Sequence, residues 1–404
     1  MPSLELILKK KGHGVRAAAP TTGRLLRYSQ GRKAHARTCT ALRRAAQSAT
    51  SDGVTAPNLP TPARMQPRTH DDMRRRHLWM PITGALVALL VGLGLIDWLR
   101  PAVVRHTGER IETVAEAVMP AISSHVVIVS IDGLRPDAIL RYRAPTLQWL
   151  LDSGRATLRA QTVVPSKTLP SHTSMLTGAS LEQHGITWNE PRTHAALHVE
   201  TIFERARSHG LVTAGFFSKP KMEMLATGDG YDYVQWPVGG RMGILGRNVR
   251  NGVQALLRAE RPNLLFVHIG EPDYIGHITG WMTPFYGNAV RTADAVLADI
   301  IVAVDAAYGT DEYTLIVTAD HGGHGRDHTG PGAADVLIPW IVAGKGVHGA
   351  GELRTLVRTF DTGPTALWLL GVPIDEALAG RPVREAFDLM DESLIAGDTT
   401  TAPR

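Results

Sequence analysis

Cysteine is all but missing: Cys39 is the only one in 404 residues. That excludes a disulfide scaffold and a cysteine-rich zinc module, so any metal must be held by histidine and carboxylate. The 17 histidines supply such ligands generously. There is no internal repeat, and only one uncharged run approaches membrane length. Hydrophobic residues make up 44% and charged residues 20%. This is an ordinary globular composition, long enough for one large domain of ~250–300 residues, or two small ones, with a proper core.

The folded part also lacks basic excess. Net charge is +5, but residues 1–77 hold 16 Lys/Arg against four Asp/Glu, whereas the remainder holds 27 against 34. The body of the protein is therefore mildly acidic, which excludes nucleic-acid binding by the folded domain on charge grounds. Residues 1–77, rich in Arg, Ala, Thr, Ser and Pro, read as a basic disordered arm. Met73-Arg74-Arg75-Arg76 also has the form of a natural charged start of an exported protein, so translation of residues 1–72 stays open.

Residues 78–96 carry no charge over 19 positions. As a helix they would span about 28 Å, near one hydrocarbon thickness. Arg74–Arg76 precede the run, and Trp79 and Trp98 bracket it. The expectation is a transmembrane signal anchor with the N-terminus in the cytoplasm. Residues 101–404 would then lie outside it, periplasmic or extracellular. Cleavage of the run as a signal peptide is the other reading. Residues 97–122 read as a linker, with a short helix over 101–122.

From residue 123 to 385 short apolar strands alternate with helices. Strands are expected at 125–131, 211–217, 264–269, 314–318 and 337–342, with 157–164 extended. Helices are expected at 145–152, 170–176, 201–208, 249–258, 289–307 and 364–370. Continuous apolar strands alternating with helices predict an α/β fold, a mostly parallel sheet covered on both faces. Residues 386–404 read as a polar tail.

In an open α/β sheet the ligand site lies at the carboxyl ends of the strands. Strand 125–131 delivers Asp132. Strand 264–269 leads into Glu271-Pro272-Asp273-Tyr274-Ile275-Gly276-His277. Strand 314–318 leads into Asp320-His321 and on to His324 and His328. Three carboxylates converging at one edge would repel and be badly desolvated unless cations joined them. Asp273 and His277, four apart, share one helix face and can grip one ion. Gly322 and Gly323 would let the chain leave its strand and aim Asp320 and His321 inward. Thr168, in Val164-Pro165-Ser166-Lys167-Thr168-Leu169-Pro170-Ser171-His172, stands at a predicted helix N-terminus, which favours anions. Alone it is an N-cap. Beside a two-metal site it becomes a candidate nucleophile.

These residues resemble the alkaline phosphatase superfamily over 124–375, most closely its type I phosphodiesterase / nucleotide pyrophosphatase family. Four motifs occur in order: Ile131-Asp132-Gly133-Leu134-Arg135, Thr168-Leu169-Pro170-Ser171-His172, Pro272-Asp273-Tyr274-Ile275-Gly276-His277 and Ala319-Asp320-His321-Gly322. Leu176-Thr177-Gly178 and His184-Gly185-Ile186 extend the second, and Asp361-Thr362-Gly363-Pro364-Thr365-Ala366 resembles a late superfamily signature. The resemblance implies that Thr168 is the nucleophile and that Asn189 touches the phosphoryl oxygen. It implies two divalent ions, zinc or alternatively manganese. One would be held by Asp132, Thr168, Asp320 and His321, the other by Asp273, His277 and a later His. That last ligand departs from the nucleotide pyrophosphatases, where it lies far downstream. His328 is chosen over His324 and His348.

The implied activity is hydrolysis of a phosphodiester or nucleotide through a phosphothreonine. Three carboxylates against two divalent ions leave +1, which suits a phosphodiester monoanion. Rival readings are a phosphonoacetate-type phosphonate hydrolase, a membrane-anchored phosphoglycerol or phosphoethanolamine transferase, and an inactive binding scaffold. A sulfatase is excluded, because Thr168 cannot become formylglycine. Tyr231, Tyr233 and Trp236 are either base-stacking residues or core. Oligomeric state is left open.

Overall fold

The computed structural model describes residues 120–192, 197–237 and 243–387, and the backbone of 103–106. The disordered-arm, anchor and most of the linker and tail expectations lie outside these residues. Among the described residues no helix is long and apolar enough to cross a membrane.

Among the described residues nine strands form one sheet: β1 (Val103–His106), β2 (Val126–Ile131), β3 (Arg155–Gln161), β4 (Thr213–Phe216), β5 (Tyr233–Trp236), β6 (Leu264–Ile269), β7 (Thr314–Thr318), β8 (Leu337–Gly344) and β9 (Gly351–Glu352). Their spatial order is β1-β5-β4-β6-β2-β7-β8-β3-β9. Strands β5, β4, β6, β2 and β7 pair in parallel. β1 and β8 run against their neighbours, and β9 pairs in parallel with β3. The fold is α/β with a mixed, mostly parallel sheet.

The central strands are apolar because they are buried throughout. Every residue of β2, β6 and β7 is buried, so their Val, Ile, Leu and Phe side chains find no polar face to alternate with. The register sets Ile131 of β2 beside Ile269 of β6, and Ser130 beside Thr318 of β7. Three strands therefore end at one level, and the residues that follow emerge side by side. β3 runs the same way, so the segment leading to Thr168 leaves the sheet at the same edge.

The helix Pro284–Tyr308 shows how local sequence and packing agree. Thr283 caps it by accepting from the Tyr286 amide, and Pro284 needs no donor at the first helical position. Val290, Ala293, Leu297, Ile300 and Val304 repeat at helical spacing and are buried. Asp294 on the same helix accepts from the amides of Thr146 and Leu147, satisfying free donors at the start of the helix Pro145–Ser153.

Two expectations are corrected and one open reading is narrowed. Val103–His106, placed in a linker helix, is the β1 strand paired antiparallel with β5. Its β-branched Val103-Val104 suits a pleated edge better than a helix. Tyr233–Trp236, for which two readings stood open, forms β5. Tyr231 and Trp236 are buried, and the Tyr231 hydroxyl donates to the Leu225 carbonyl. For Tyr231 and Trp236 burial selects the core reading over base stacking. The tail begins later than 386, because Ala386 and Phe387 are buried in the 3-10 turn Arg384–Phe387.

Candidate metal centre and nucleophile

Asp132 follows β2 directly and is wholly buried. The next residue, Gly133, has φ +71°, and a Cβ there would lie 3.0 Å from the Cα and Cβ of Asp273. Glycine is required on both counts. The turn it makes brings the Asp273 amide to the Asp132 carbonyl at 3.1 Å, locking β2 to the helix Glu271–Thr279. The Gly133 amide donates to Asp320 Oδ1 at 3.0 Å, and so does the His321 amide. Asp320 is thus held by its Oδ1 alone. Gly322 and Gly323 act differently from expectation: neither has a left-handed backbone. They are small because a side chain would collide with the Ala334 carbonyl at one and with Trp281 at the other.

One oxygen of each carboxylate is left over. Asp132 Oδ1, Asp273 Oδ1 and Asp320 Oδ2 are buried and accept no hydrogen bond among the described residues. All three face His321 Nε2, at 3.5, 3.8 and 3.2 Å respectively. His277 Nε2 and His328 Nε2 lie 3.3 and 3.7 Å from Asp273 Oδ1. The Nδ1 of each imidazole pairs with a backbone carbonyl: Gly322 for His321, Arg326 for His277, Ser166 for His328. With Nδ1–H donating, the Nε2 lone pair of all three is turned into the site. Orphaned carboxylate oxygens beside aimed imidazole nitrogens are a donor set that fits divalent cations. Among the described residues two groupings are close enough to hold an ion, Asp273–His277–His328 and Asp132–Asp273–His321.

The electrostatics carry the same strain. Burial and the Asp132 carboxylate push Asp320 up to about 7. Burial also raises Asp132, but Lys219 and His268 outweigh it and hold that carboxyl well below its usual range. Asp273 follows the same logic, with Lys219 as its main support. Burial lowers His321, and burial with His321 alongside takes His328 to about 4. The His321 and His328 rings stack in parallel, 3.7 Å between centroids. His277, beside Asp273, is raised.

Thr168 is the first residue of the helix Thr168–Thr177, two residues earlier than the sequence suggests, and is fully buried. Lys167 supplies the extended residue before it. Thr168 Oγ1 lies 3.4 Å from His321 Nε2, within the candidate cation-binding constellation. Asn189 Oδ1 accepts from the Leu169 amide at 3.0 Å, which fixes its orientation and leaves its NH₂ group as donor. The structure therefore gathers Asp132, Thr168, Asp273, His277, Asp320, His321 and His328 in one place, with Asn189 against the helix Thr168–Thr177. His324 stands apart: its side chain is exposed and its ring pairs with Asp335 at 2.7 Å. His348 is exposed on the turn between β8 and β9.

Two residues escaped the sequence reading. Lys219, three residues past β4, is buried with its Nζ 2.7 Å from Asp132 Oδ2 and in contact with Asp273 Oδ2. His268, inside β6, reaches Asp132 Oδ2 through Nε2 at 2.9 Å. Its Nδ1 accepts from the Ser218 hydroxyl at 2.6 Å and amide at 3.3 Å, so Nε2 carries the proton. The strand-end logic applied to β4 would have found Lys219, but a lysine does not ligate metals and was passed over.

Carboxylates and imidazoles gathered at the carboxyl edge of an α/β sheet, around a hydroxyl at a helix N-terminus, define a site of the alkaline phosphatase class. Solved structures of that superfamily share the fold. Murine ectonucleotide pyrophosphatase/phosphodiesterase 5 matches with a TM-score of 0.52 and 16% identity, covering 62% of this chain and 95% of that one. A 2-O GAG sulfatase matches with a TM-score of 0.54 and 14% identity, covering 66% and 74%. Residues 126–329 match the family described as type I phosphodiesterase / nucleotide pyrophosphatase, and the chain belongs to it. Among curated relatives, rat ectonucleotide pyrophosphatase/phosphodiesterase family member 7 is 25% identical over 226 residues, 49% of each chain. The catalytic subunit of human GPI ethanolamine phosphate transferase 2 is 26% identical over 298 residues, 66% of this chain and 29% of that one. The chain spans about half the length, or less, of the curated relatives it matches.

Proposed function

We propose that the protein hydrolyses phosphoric diesters or phosphoanhydrides, nucleotides among them, through a covalent phosphothreonine at Thr168. The observation that carries this reading is the position of Thr168 Oγ1, beside His321 Nε2 and at a helix N-terminus. Asp132, Thr168, Asp320 and His321 would hold one divalent ion, and Asp273, His277 and His328 the other. Zinc is the first choice for this N/O donor set and manganese the second. When bound, the ions supply Lewis acidity that lowers the hydroxyl pKa of a threonine and neutralises charge on the leaving oxygen.

The Thr168 oxygen attacks phosphorus, a Thr168–O–P bond forms, and the bond from phosphorus to the leaving oxygen breaks. The threonine proton leaves with the departing alcohol or phosphate. Water then cleaves the phosphothreonine and restores the hydroxyl. The Asn189 NH₂ group and the helix N-terminus favour the anionic phosphoryl oxygens. A solved complex of inactive murine ectonucleotide pyrophosphatase/phosphodiesterase 5 holds AMP, which supports a nucleotide as substrate.

Lys219 revises the substrate argument. With it, three carboxylates face two divalent ions and a buried ammonium, a balance of +2 rather than +1. That favours substrates with more than one negative charge at the reacting phosphorus or beside it, such as phosphoanhydrides, over a simple diester monoanion. The match to an ethanolamine phosphate transferase supports a second reading, in which an acceptor alcohol replaces water in the second step.

The test is chemical trapping. Zinc-loaded protein is mixed with nucleoside triphosphate or bis-p-nitrophenyl phosphate, quenched in acid and digested. The peptide containing Thr168 should carry the phosphoryl or phosphoester mass. Turnover without any such adduct under rapid quench rules out the covalent route. We also propose that residues 78–96 anchor the chain with the catalytic domain outside the cytoplasm. A C-terminal reporter active only in the cytoplasm would overturn that orientation.

A further inference from the structure

Lys219 occupies an unusual place. Its ammonium contacts Oδ2 of Asp132 and Oδ2 of Asp273, one carboxylate from each half of the two-ion site. It is almost completely buried, and so are both partners. The Oδ1 atoms of the same carboxylates, which accept no hydrogen bond among the described residues, face the imidazoles instead. Each carboxylate is thus split, one oxygen to the lysine and one toward the ion positions. His268 adds a second donor to Asp132 Oδ2, and its partner Ser218 immediately precedes Lys219. The segment after β4 therefore holds Asp132 directly through Lys219 and indirectly through Ser218 and His268.

We infer that Lys219 is the built-in counter-cation of this centre, a positioning residue that holds Asp132 and Asp273 in their ligand geometry so that folding does not depend on metal. The inference rests on the two-ion reading of the site. Without such a cation, two buried carboxylates a few ångströms apart would repel and be left uncompensated, and the edge of the sheet would open or take up protons. Because Lys219 uses the Oδ2 atoms, it need not leave when ions load. It acts there as a like charge that moderates their affinity.

This gives a signature that packing alone does not. A residue that merely fills space would, when changed, lower stability equally with and without metal, and leave metal affinity unchanged or weaker. A counter-cation matters most when the ions are absent. Lys219→Met and the smaller perturbation Lys219→Gln should each lower the melting temperature of chelator-treated protein by about 10 °C or more, the scale of removing one partner from a buried ion pair. Zinc or manganese should restore most of the loss. By the thermodynamic cycle, the same variants should bind the ions at least tenfold more tightly in competition with a chelating dye. Lys219→Arg, which keeps the charge, should stay near wild type.

Equal destabilisation with and without metal, or unchanged or weaker affinity in both the Met and Gln variants, overturns the inference while leaving the two-ion reading intact. Failure of both variants to fold even with metal also overturns it. If the unmodified protein takes up no divalent ion at all, the two-ion reading falls first, and this inference with it.

Discussion

Gly133 and Asp273 meet so closely that a methyl group on the first would touch the Cα of the second, at 3.0 Å. This contact is the pivot of the site. It joins the end of β2 to the start of the helix Glu271–Thr279, and the Gly133 amide also holds Asp320 Oδ1. Two observations constrain the position independently, the φ of +71° and the lack of space. Gly133→Ala should therefore cost roughly 1–3 kcal/mol of stability through backbone strain, the range for a residue forced into a sparsely populated conformation. It should also displace Asp273 and Asp320 and reduce bound metal to well under two ions per chain. Thermal melts beside elemental analysis check both. Full metal content at normal stability would mean that the turn relaxes without disturbing the carboxylates.

His328 and His324 should separate cleanly in metal content. His328 is buried, donates Nδ1–H to Ser166 and presents Nε2 to Asp273, while His324 is exposed and tied to Asp335. His328→Ala should lose about one ion per chain, and His324→Ala none. Elemental analysis after dialysis decides it. Retention of both ions by His328→Ala would require another residue as the second ion's third ligand.

Legibility in the sequence followed the range of the interactions involved. Asp132, Asp320 and His321 could be read because Asp132 follows a buried apolar strand directly and the other two lie within three residues of the end of another, a purely local pattern. Asp273 and His277 could be read from their four-residue spacing. Thr168 was visible as a hydroxyl at a helix start, though one residue's type could not distinguish a cap from a nucleophile. Lys219 and His268 were invisible for a different reason. Their importance depends on β4, β6 and β2 being neighbours in that order, which no stretch of sequence states. The same holds for β1 and β5, whose pairing joins residues 103 and 236. Tyr231 and Trp236 show an ambiguity of another kind: an aromatic residue looks equally suited to a ligand and to a core, and only burial decides.

His184 gives a pH dependence away from the metal centre. Its Nδ1 accepts the Ile186 amide and its Nε2 pairs with Ser174 Oγ at 2.9 Å, so both nitrogens are used by the neutral ring. Burial lowers it to about 4. In the unfolded chain a histidine titrates near 6.5. Between these values the unfolded state binds more protons, so stability is full above about 6.5 and falls as pH drops toward 4. His184→Gln should flatten that limb while lowering stability at neutral pH. Melting temperatures of both proteins from pH 4 to 8, measured with chelator to remove metal linkage, provide the check. Parallel curves would assign the acid limb to other groups.

Thr168 offers the sharpest test of the chemistry. Its hydroxyl is the one side-chain oxygen at the start of the helix Thr168–Thr177 that lies against His321 Nε2, and its backbone carbonyl accepts from His172 Nδ1 at 2.8 Å. That second contact is independent of the side chain, so the helix start should survive substitution. Thr168→Ala removes the attacking oxygen and keeps the aspartates and histidines, and should reduce turnover roughly 10³-fold or more, the scale left when binding and electrostatics act without the nucleophile. Thr168→Val, similar in shape, should be as poor as Ala, because shape is not what is lost. Thr168→Ser keeps the oxygen and should retain substantial activity. Melting temperature and metal content measured beside the rates separate loss of chemistry from loss of structure. An alanine variant within a few-fold of the parent, with its metals bound, would show that water attacks phosphorus directly and that Thr168 is only a helix-start residue.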